Sequence, residues 1–333
     1  VRAVAEQSKV SGVPTPVSVV VLDDWQDVAL SVADWSPLSG RAHVVRHTDH
    51  LADADALVDR LSGAEVVLAM RERTPFPAEV LARLPRLRLL VTTGMANAAI
   101  DVAAAAAQGV VVSGTAGGSA AAAELAWALV LAVARDVPGG DRAVRAGRWQ
   151  EHLGIELAGS TLGLLGLGRI GAVMARYARA FDMRVLAWSE NLTAGRAAEH
   201  GAELVGRADL FERSDVVSVH LRLSERTRGL VGAEELALLG PEGRLVNTSR
   251  GPIVDEAALL AALDAGTIAG AALDVFDIEP LPVDAPLRRA PRTVLTPHLG
   301  YVSRQSYAAM YGQCVEDVLA WLDGAPVRVL GNG

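Results

Sequence analysis

A chain of 333 residues, 51% hydrophobic and 21% charged, has the length for about two domains with substantial cores. A net charge of -8, spread without long runs, argues against a nucleic-acid partner. Lys9 is the single lysine and Cys314 the single cysteine, which argues against Schiff-base or phosphate-loop lysine chemistry, an intrachain disulfide and a cysteine metal cluster.

The first residues, VRAVAEQSKVSGVPTP, lack the apolar stretch of a signal peptide and read as a disordered lead-in to a strand at Val17, so a cytoplasmic location is expected. Strands are predicted at Val17–Leu22, Ala42–Val45, Glu65–Ala69, Leu89–Thr92 and Val110–Val112. Their runs are apolar on both faces, as parallel strands covered by helices require. A helix over Asp101–Gln108 has Asp101 to cap it and Gly109 to stop it. The apolar run Ala120–Ala134 is interrupted by Glu124 and is too short for a membrane span. It predicts a buried helix from about Ser119 to Asp136, ended near Pro138-Gly-Gly, and no membrane partner is expected.

A second series of six strands follows: Thr161–Leu165, Met183–Trp188, Val216–Leu221, Arg244–Val246, Ala269–Asp274 and Thr293–Leu295. A last helix runs from roughly Arg304 to Asp323. The alternation of strand and helix is that of a doubly wound α/β protein, and six strands suit a full dinucleotide fold.

The first strand of that series runs directly into Gly166-Leu-Gly168-Arg-Ile-Gly171, with a helix after it. Gly166 permits the tight turn, Gly168 lets backbone approach a pyrophosphate, and Gly171 lets helix and strand pack closely. The free N–H groups of the helix N-terminus then face the phosphates. An acidic residue is expected about 20 residues on, at the end of the next strand. Ser189 stands there, followed by Glu190. Ser189 lacks the carboxylate that would bond a ribose 2′-hydroxyl and repel a 2′-phosphate, whereas Glu190 could restore both effects by turning inward. NAD(H) and NADP(H) therefore both stay open.

Three charges sit at or beyond later strand ends. Arg250, in Asn247-Thr-Ser-Arg250-Gly251, can grip a carboxylate bidentately and polarise the neighbouring carbonyl. Glu279 lies beyond the strand that ends at Asp274. His298, in Thr296-Pro-His298-Leu-Gly300, suits proton transfer near neutral pH, and a carboxylate beside it would fix its tautomer. His43, His47 and His50 span a strand and its loop and point to different faces, so no metal is expected. No Gly-x-Ser-x-Gly elbow occurs, which argues against a serine hydrolase.

With these segments, and with His220-Leu-Arg-Leu-Ser-Glu-Arg-Thr227 and Ala272-Leu-Asp274-Val-Phe-x-x-Glu279-Pro280, the chain resembles the D-isomer-specific 2-hydroxyacid dehydrogenase family over roughly Val17 to Leu330. The resemblance implies a Rossmann cofactor domain at 115–299 inserted in a flavodoxin-like substrate domain at 1–114 plus 300–333, with substrate in the cleft between them. It implies that Arg250 binds the substrate carboxylate and keto oxygen, that His298 is the acid/base and that Glu279 is its partner. Asp274 would hold the nicotinamide carboxamide. Arg169 and Ile170 would hold the pyrophosphate, with Ser189 and Thr248 also on the cofactor side. Backbone amides near Gly94, Met95 and Ala96 would meet the substrate carboxylate.

Three departures from the family pattern bear on specificity. The usual Gly-x-Gly-x-Asp turn reads Gly94-Met-Ala-Asn97-Ala98, the second-strand Asp is Ser189, and the proline after His220-Leu is Arg222. Arg222 could reach a 2′-phosphate. Arg71, after the strand Glu65–Ala69, would suit a diacid or phosphorylated substrate, or else pair with Glu72 or Asp24. The expected function is NAD(P)-dependent interconversion of a 2-keto acid and a D-2-hydroxy acid, the family favouring NAD(H). A homodimer through the cofactor domains is expected, with Trp127 at the interface. The alternatives are a formate- or phosphite-type dehydrogenase on this scaffold and a dinucleotide-sensing, corepressor-like binding protein.

Overall fold

A computed structural model describes residues 15–118 and 120–331. The lead-in expected before Val17 lies almost wholly outside them. The chain forms two compact units, residues 15–117 with 304–331 and residues 118–303. The chain thus leaves the first unit, completes the second, and returns to finish the first.

The first unit holds strands β1 (Val17–Val21), β2 (Ala42–Arg46), β3 (Val66–Ala69), β4 (Leu89–Thr92) and β5 (Val111–Gly114), all parallel, in the order β2-β1-β3-β4-β5. This is a flavodoxin-like order, with its switch point between β1 and β3. β3 and β4 are buried along their whole length, because helices cover both faces. Leu57, Leu61, Phe76, Leu81 and Leu90 anchor one core cluster. The Asp101 side chain accepts from Ala104 N at 2.9 Å and starts the helix Val102–Ala107, which gives way at Gly109, where φ is +74°.

The second unit holds β6 (Thr161–Leu165), β7 (Arg184–Trp188), β8 (Glu203–Leu204), β9 (Val216–Val219), β10 (Arg244–Asn247), β11 (Gly270–Leu273) and β12 (Thr293–Leu295). All are parallel, in the order β12-β11-β10-β9-β6-β7-β8. Counted within the unit this is the Rossmann order extended by one strand at the β12 edge. The sequence predicts six strands, and the described residues of this unit form seven. The extra one, β8, is a two-residue edge strand whose Glu203 is exposed, too short and too polar to leave an apolar run.

One helix boundary also departs from expectation. The helix Ala120–Arg135 ends as expected, but a second helix, Val137–Arg145, runs straight through Pro138-Gly139-Gly140. The break is Asp136, whose φ is +45° and whose side chain accepts from Gly139 N. Pro138 falls in the first turn, where no N–H is needed. Trp127, expected at a subunit interface, is only 8% exposed and packs on Tyr177 and Phe181, with ring centroids 5.9 and 4.9 Å away. Among the described residues no helix is long and apolar enough to cross a membrane.

Candidate active site

In the second unit, the switch point falls between β6 and β9. Gly166 follows β6 with φ +105°, and a Cβ there would lie 2.8 Å from the His220 carbonyl carbon after β9. A Cβ on Gly171 would come within 2.3 Å of Gly166 O, so the helix Arg169–Ala180 is pressed against the turn. Gly168 differs: a Cβ there would meet no protein atom within 4 Å. Its α-carbon faces open space at the helix N-terminus, where the N–H groups of Arg169, Ile170 and Gly171 begin a helix and have no preceding turn to bond. Room for a ligand backbone beside unsatisfied donors fits a pyrophosphate. Farther along, Ser189 is half-buried just past β7, and its carbonyl accepts from Leu192 N at 3.0 Å. Glu190 and Arg222 are exposed, and Thr248 is half-buried after β10.

Burial pushes the His220 imidazole down to about 4, so it is neutral, with Nε2 2.9 Å from Ser218 Oγ. Its backbone carbonyl lies directly behind the glycine loop at Gly166.

The loops after the neighbouring strands β10, β11 and β12 carry Arg250, Glu279 and His298. Asn247 ties the first loop, donating to Arg250 O at 3.0 Å and accepting from Ser249 N at 3.0 Å. Arg250 Nη1 donates to Ser249 O at 2.7 Å. The second loop closes on itself, since Phe276 N donates to Glu279 Oε1 at 2.9 Å. The other carboxylate oxygen, Oε2, lies 2.5 Å from His298 Nδ1. A carboxylate only accepts, so Nδ1 carries the hydrogen and Nε2 is left for chemistry. The Tyr301 ring stands edge-on to the imidazole at 5.4 Å.

His298 has φ +53°, a conformation that a non-glycine residue keeps only when its surroundings hold it there. Asp274 supplies that hold. It is fully buried, and it accepts from Thr296 Oγ1 at 2.6 Å, Leu299 N at 2.7 Å and Gly300 N at 2.9 Å. Burial raises its carboxyl above the usual range, against those bonds. Its oxygens are thus engaged with the loop that carries His298. Sequence reasoning placed Asp274 beside the cofactor and missed this bracing, because its donors lie 22 to 26 residues away.

A surface groove of about 730 Å³ runs behind these loops, lined by Arg228, Pro252, Val254, Leu260, Asp277 and Ile278 among others. It contains none of the three candidate catalytic side chains.

In the first unit, the turns after β3 and β4 meet. Arg71 has φ +54°, and its guanidinium donates to Thr93 O at 3.2 Å and sits 3.7 Å from Glu72 Oε2. A Cβ on Gly94 would lie 2.5 Å from Arg71 Nη1, so one end of the guanidinium abuts that glycine. Gly94 N is already taken, donating to Thr92 O at 2.8 Å. The N–H groups of Met95 and Ala96 have no protein acceptor among the described residues, and both residues are exposed. Of the three histidines in the N-terminal third, His50 pairs with Asp23 at 2.9 Å and His43 is exposed on β2. Among the described residues no group of three or more His, Cys, Asp or Glu side chains is arranged to hold a metal ion.

Residues 127–300 match the family model of the D-isomer specific 2-hydroxyacid dehydrogenase NAD-binding domain. The chain belongs to the D-isomer-specific 2-hydroxyacid dehydrogenase family. It is 37% identical to a glyoxylate reductase of Korarchaeum cryptofilum over 310 residues, covering 91% of this chain and 87% of that one. It is 38% identical to a D-3-phosphoglycerate dehydrogenase of Archaeoglobus fulgidus over 264 residues, but spans only 50% of that protein. Among solved structures, a phosphoglycerate oxidoreductase from Vibrio cholerae superposes with a TM-score of 0.88 at 35% identity, over 93% of this chain and 100% of that one. Membership makes the chain an NAD(P)-dependent oxidoreductase that interconverts 2-keto and D-2-hydroxy acids, using NAD(H) or NADP(H).

Proposed function

We propose that Arg250, Glu279 and His298 carry the reaction, and that the substrate is a small 2-keto acid of the size of glyoxylate or hydroxypyruvate. The observation that carries this reading is the 2.5 Å contact of Glu279 with His298 Nδ1, which leaves Nε2 to give or take a proton. When bound, the nicotinamide cofactor supplies the hydride for reduction and receives it in oxidation. Arg250 grips the substrate carboxylate and steadies the charge that grows on the keto oxygen. His298 Nε2 protonates that oxygen, and Glu279 stabilises the imidazolium partner of the transfer.

The unit of residues 118–303 is the cofactor domain in this reading, with Gly166, Gly168, Arg169, Ile170 and Gly171 at the pyrophosphate and Ser189 and Thr248 farther along. The open space before Gly168 supports it. Residues 15–117 and 304–331 form the substrate domain, where Arg71 and the amides of Met95 and Ala96 take the carboxylate side of the substrate. Gly94 contributes the close approach of the backbone rather than its N–H. Ser189 in place of a carboxylate admits NADPH as well as NADH.

A homodimer fits the side chains left exposed on the cofactor unit: Val137, Val144, Trp149 and Leu153 are 58%, 58%, 75% and 99% exposed. A cytoplasmic enzyme fits a single, buried cysteine. The test is a matrix of NADH and NADPH against glyoxylate, hydroxypyruvate, pyruvate, 2-oxoglutarate and oxaloacetate, with product configuration read by chiral chromatography. A D-2-hydroxy acid product supports the reading, and an L product or no turnover contradicts it.

A further inference from the structure

The turn that takes the place of the usual Gly-x-Gly-x-Asp pattern reads Gly94-Met-Ala-Asn97-Ala98, with Ala98 at the place of the usual carboxylate and an amide, Asn97, just before it. Asn97 is 9% exposed, and its side chain spans two strand-end turns. Its Nδ2 donates to Arg71 O at 2.6 Å and to Thr92 Oγ1 at 2.8 Å, while its Oδ1 accepts from Ala99 N at 2.9 Å. Thr93 adds a second stitch: its Oγ1 accepts from Arg71 N at 2.9 Å. Arg71 is therefore held at both its backbone N–H and its carbonyl, on either side of an α-carbon with φ +54°. The same side chains close the turn from which Met95 and Ala96 present their N–H groups.

We infer that Asn97 is a positioning residue for substrate: its side-chain NH2 group locks Arg71 and the Met95–Ala96 amides into one carboxylate-binding element. This rests on the reading above that these groups contact a 2-keto acid. A guanidinium and two backbone N–H groups bind an anion well only when they are fixed before it arrives. An amide can donate to the Arg71 carbonyl and still accept from Ala99 N. A carboxylate can only accept, and would oppose the carbonyl of Arg71. Asn97 itself touches no substrate; it acts through Arg71.

The test compares wild type, Asn97→Ala, Asn97→Asp, Arg71→Ala and the Arg71→Ala/Asn97→Ala double variant, with glyoxylate and hydroxypyruvate as probes. Thermal stabilisation by oxalate gives a readout that needs no turnover. Asn97→Ala is expected to raise KM for the keto acid by roughly tenfold or more, with kcat changed less than about threefold and cofactor Kd unchanged. Asn97→Asp, which keeps the size but not the donated hydrogen bonds, is expected to follow it. The double variant is expected to match Arg71→Ala alone, because both changes remove one element. Multiplying effects in the double variant, or an unchanged KM in Asn97→Ala, would overturn the inference. If Arg71→Ala raises KM while both Asn97 variants are normal, this inference fails and the functional reading stands. If Arg71→Ala leaves KM and oxalate stabilisation untouched, or wild type shows neither turnover nor stabilisation, the placement of the substrate fails and the inference with it.

Discussion

Gly251 packs so closely on the Phe276–Asp277 peptide that a Cβ on it would lie 2.1 Å from the Phe276 carbonyl carbon and 2.5 Å from Asp277 N. The loop that carries Arg250 is thereby set against the loop that carries Glu279. Backbone cannot yield as a flexible side chain can, so Gly251→Ala must push the two loops apart. Overpacking of this kind costs about 1–3 kcal/mol. A displacement near 1 Å of a catalytic group costs about 10²-fold in rate. Gly251→Ala is expected to lower both stability in denaturant and kcat/KM. An active, fully stable Gly251→Ala would show that the loops are not coupled.

Gly168 and Gly171 should separate binding from folding. A Cβ at Gly168 meets no described residue beyond its chain neighbours within 4 Å, so Gly168→Val should keep stability while cofactor Kd rises by about tenfold or more. Gly171→Val would drive a side chain into Gly166 O and should lower the melting temperature outright. Fluorescence titration with NADH and NADPH, beside thermal melts, reads both. Normal cofactor binding in Gly168→Val would remove the pyrophosphate from that loop.

Asp274 holds the His298 loop with three accepted hydrogen bonds. Bonds to a charged group are worth about 1.5–3 kcal/mol each, and their loss frees the loop. Asp274→Ala is expected to lower kcat roughly 10- to 100-fold through a misplaced His298. Asp274→Asn, which retains one accepting oxygen for Thr296 and Leu299, should lose less. Equal kcat in wild type and Asp274→Ala would deny the bracing role.

The strands were legible in the sequence because burial on both faces leaves unbroken apolar runs, as in Val66–Ala69. β8 was not, since two edge residues carry no period. The Val137–Arg145 helix hid behind Pro138-Gly-Gly, a breaker by composition that sits harmlessly in a first turn. The order Arg250, Glu279, His298 was visible, as was a carboxylate partner for the histidine. The bracing by Asp274 and the clamp by Asn97 were not. They depend on which loops end side by side, which sheet order decides and local sequence does not record.

His220 gives a stability signature. Its unfolded value is 6.5 and its folded value about 4, because burial disfavours the charged ring. The unfolded chain therefore binds a proton that the folded chain refuses between those values. Stability should fall as pH drops from about 6.5 to about 4, by at most about 3 kcal/mol, and then level off. His220→Gln should remove that part of the acid sensitivity. Identical slopes of unfolding free energy against pH in the two proteins would contradict it.

The central claim is that His298 donates the proton to the keto oxygen. It is tested most directly by following oxidation of the reduced nicotinamide with glyoxylate or hydroxypyruvate, in wild type and in His298→Ala. Loss of a general acid typically costs about 10²–10⁴-fold. The account predicts keto-acid-dependent turnover by wild type and a fall of that size in His298→Ala, with cofactor Kd preserved. Turnover in His298→Ala within a few-fold of wild type would contradict it.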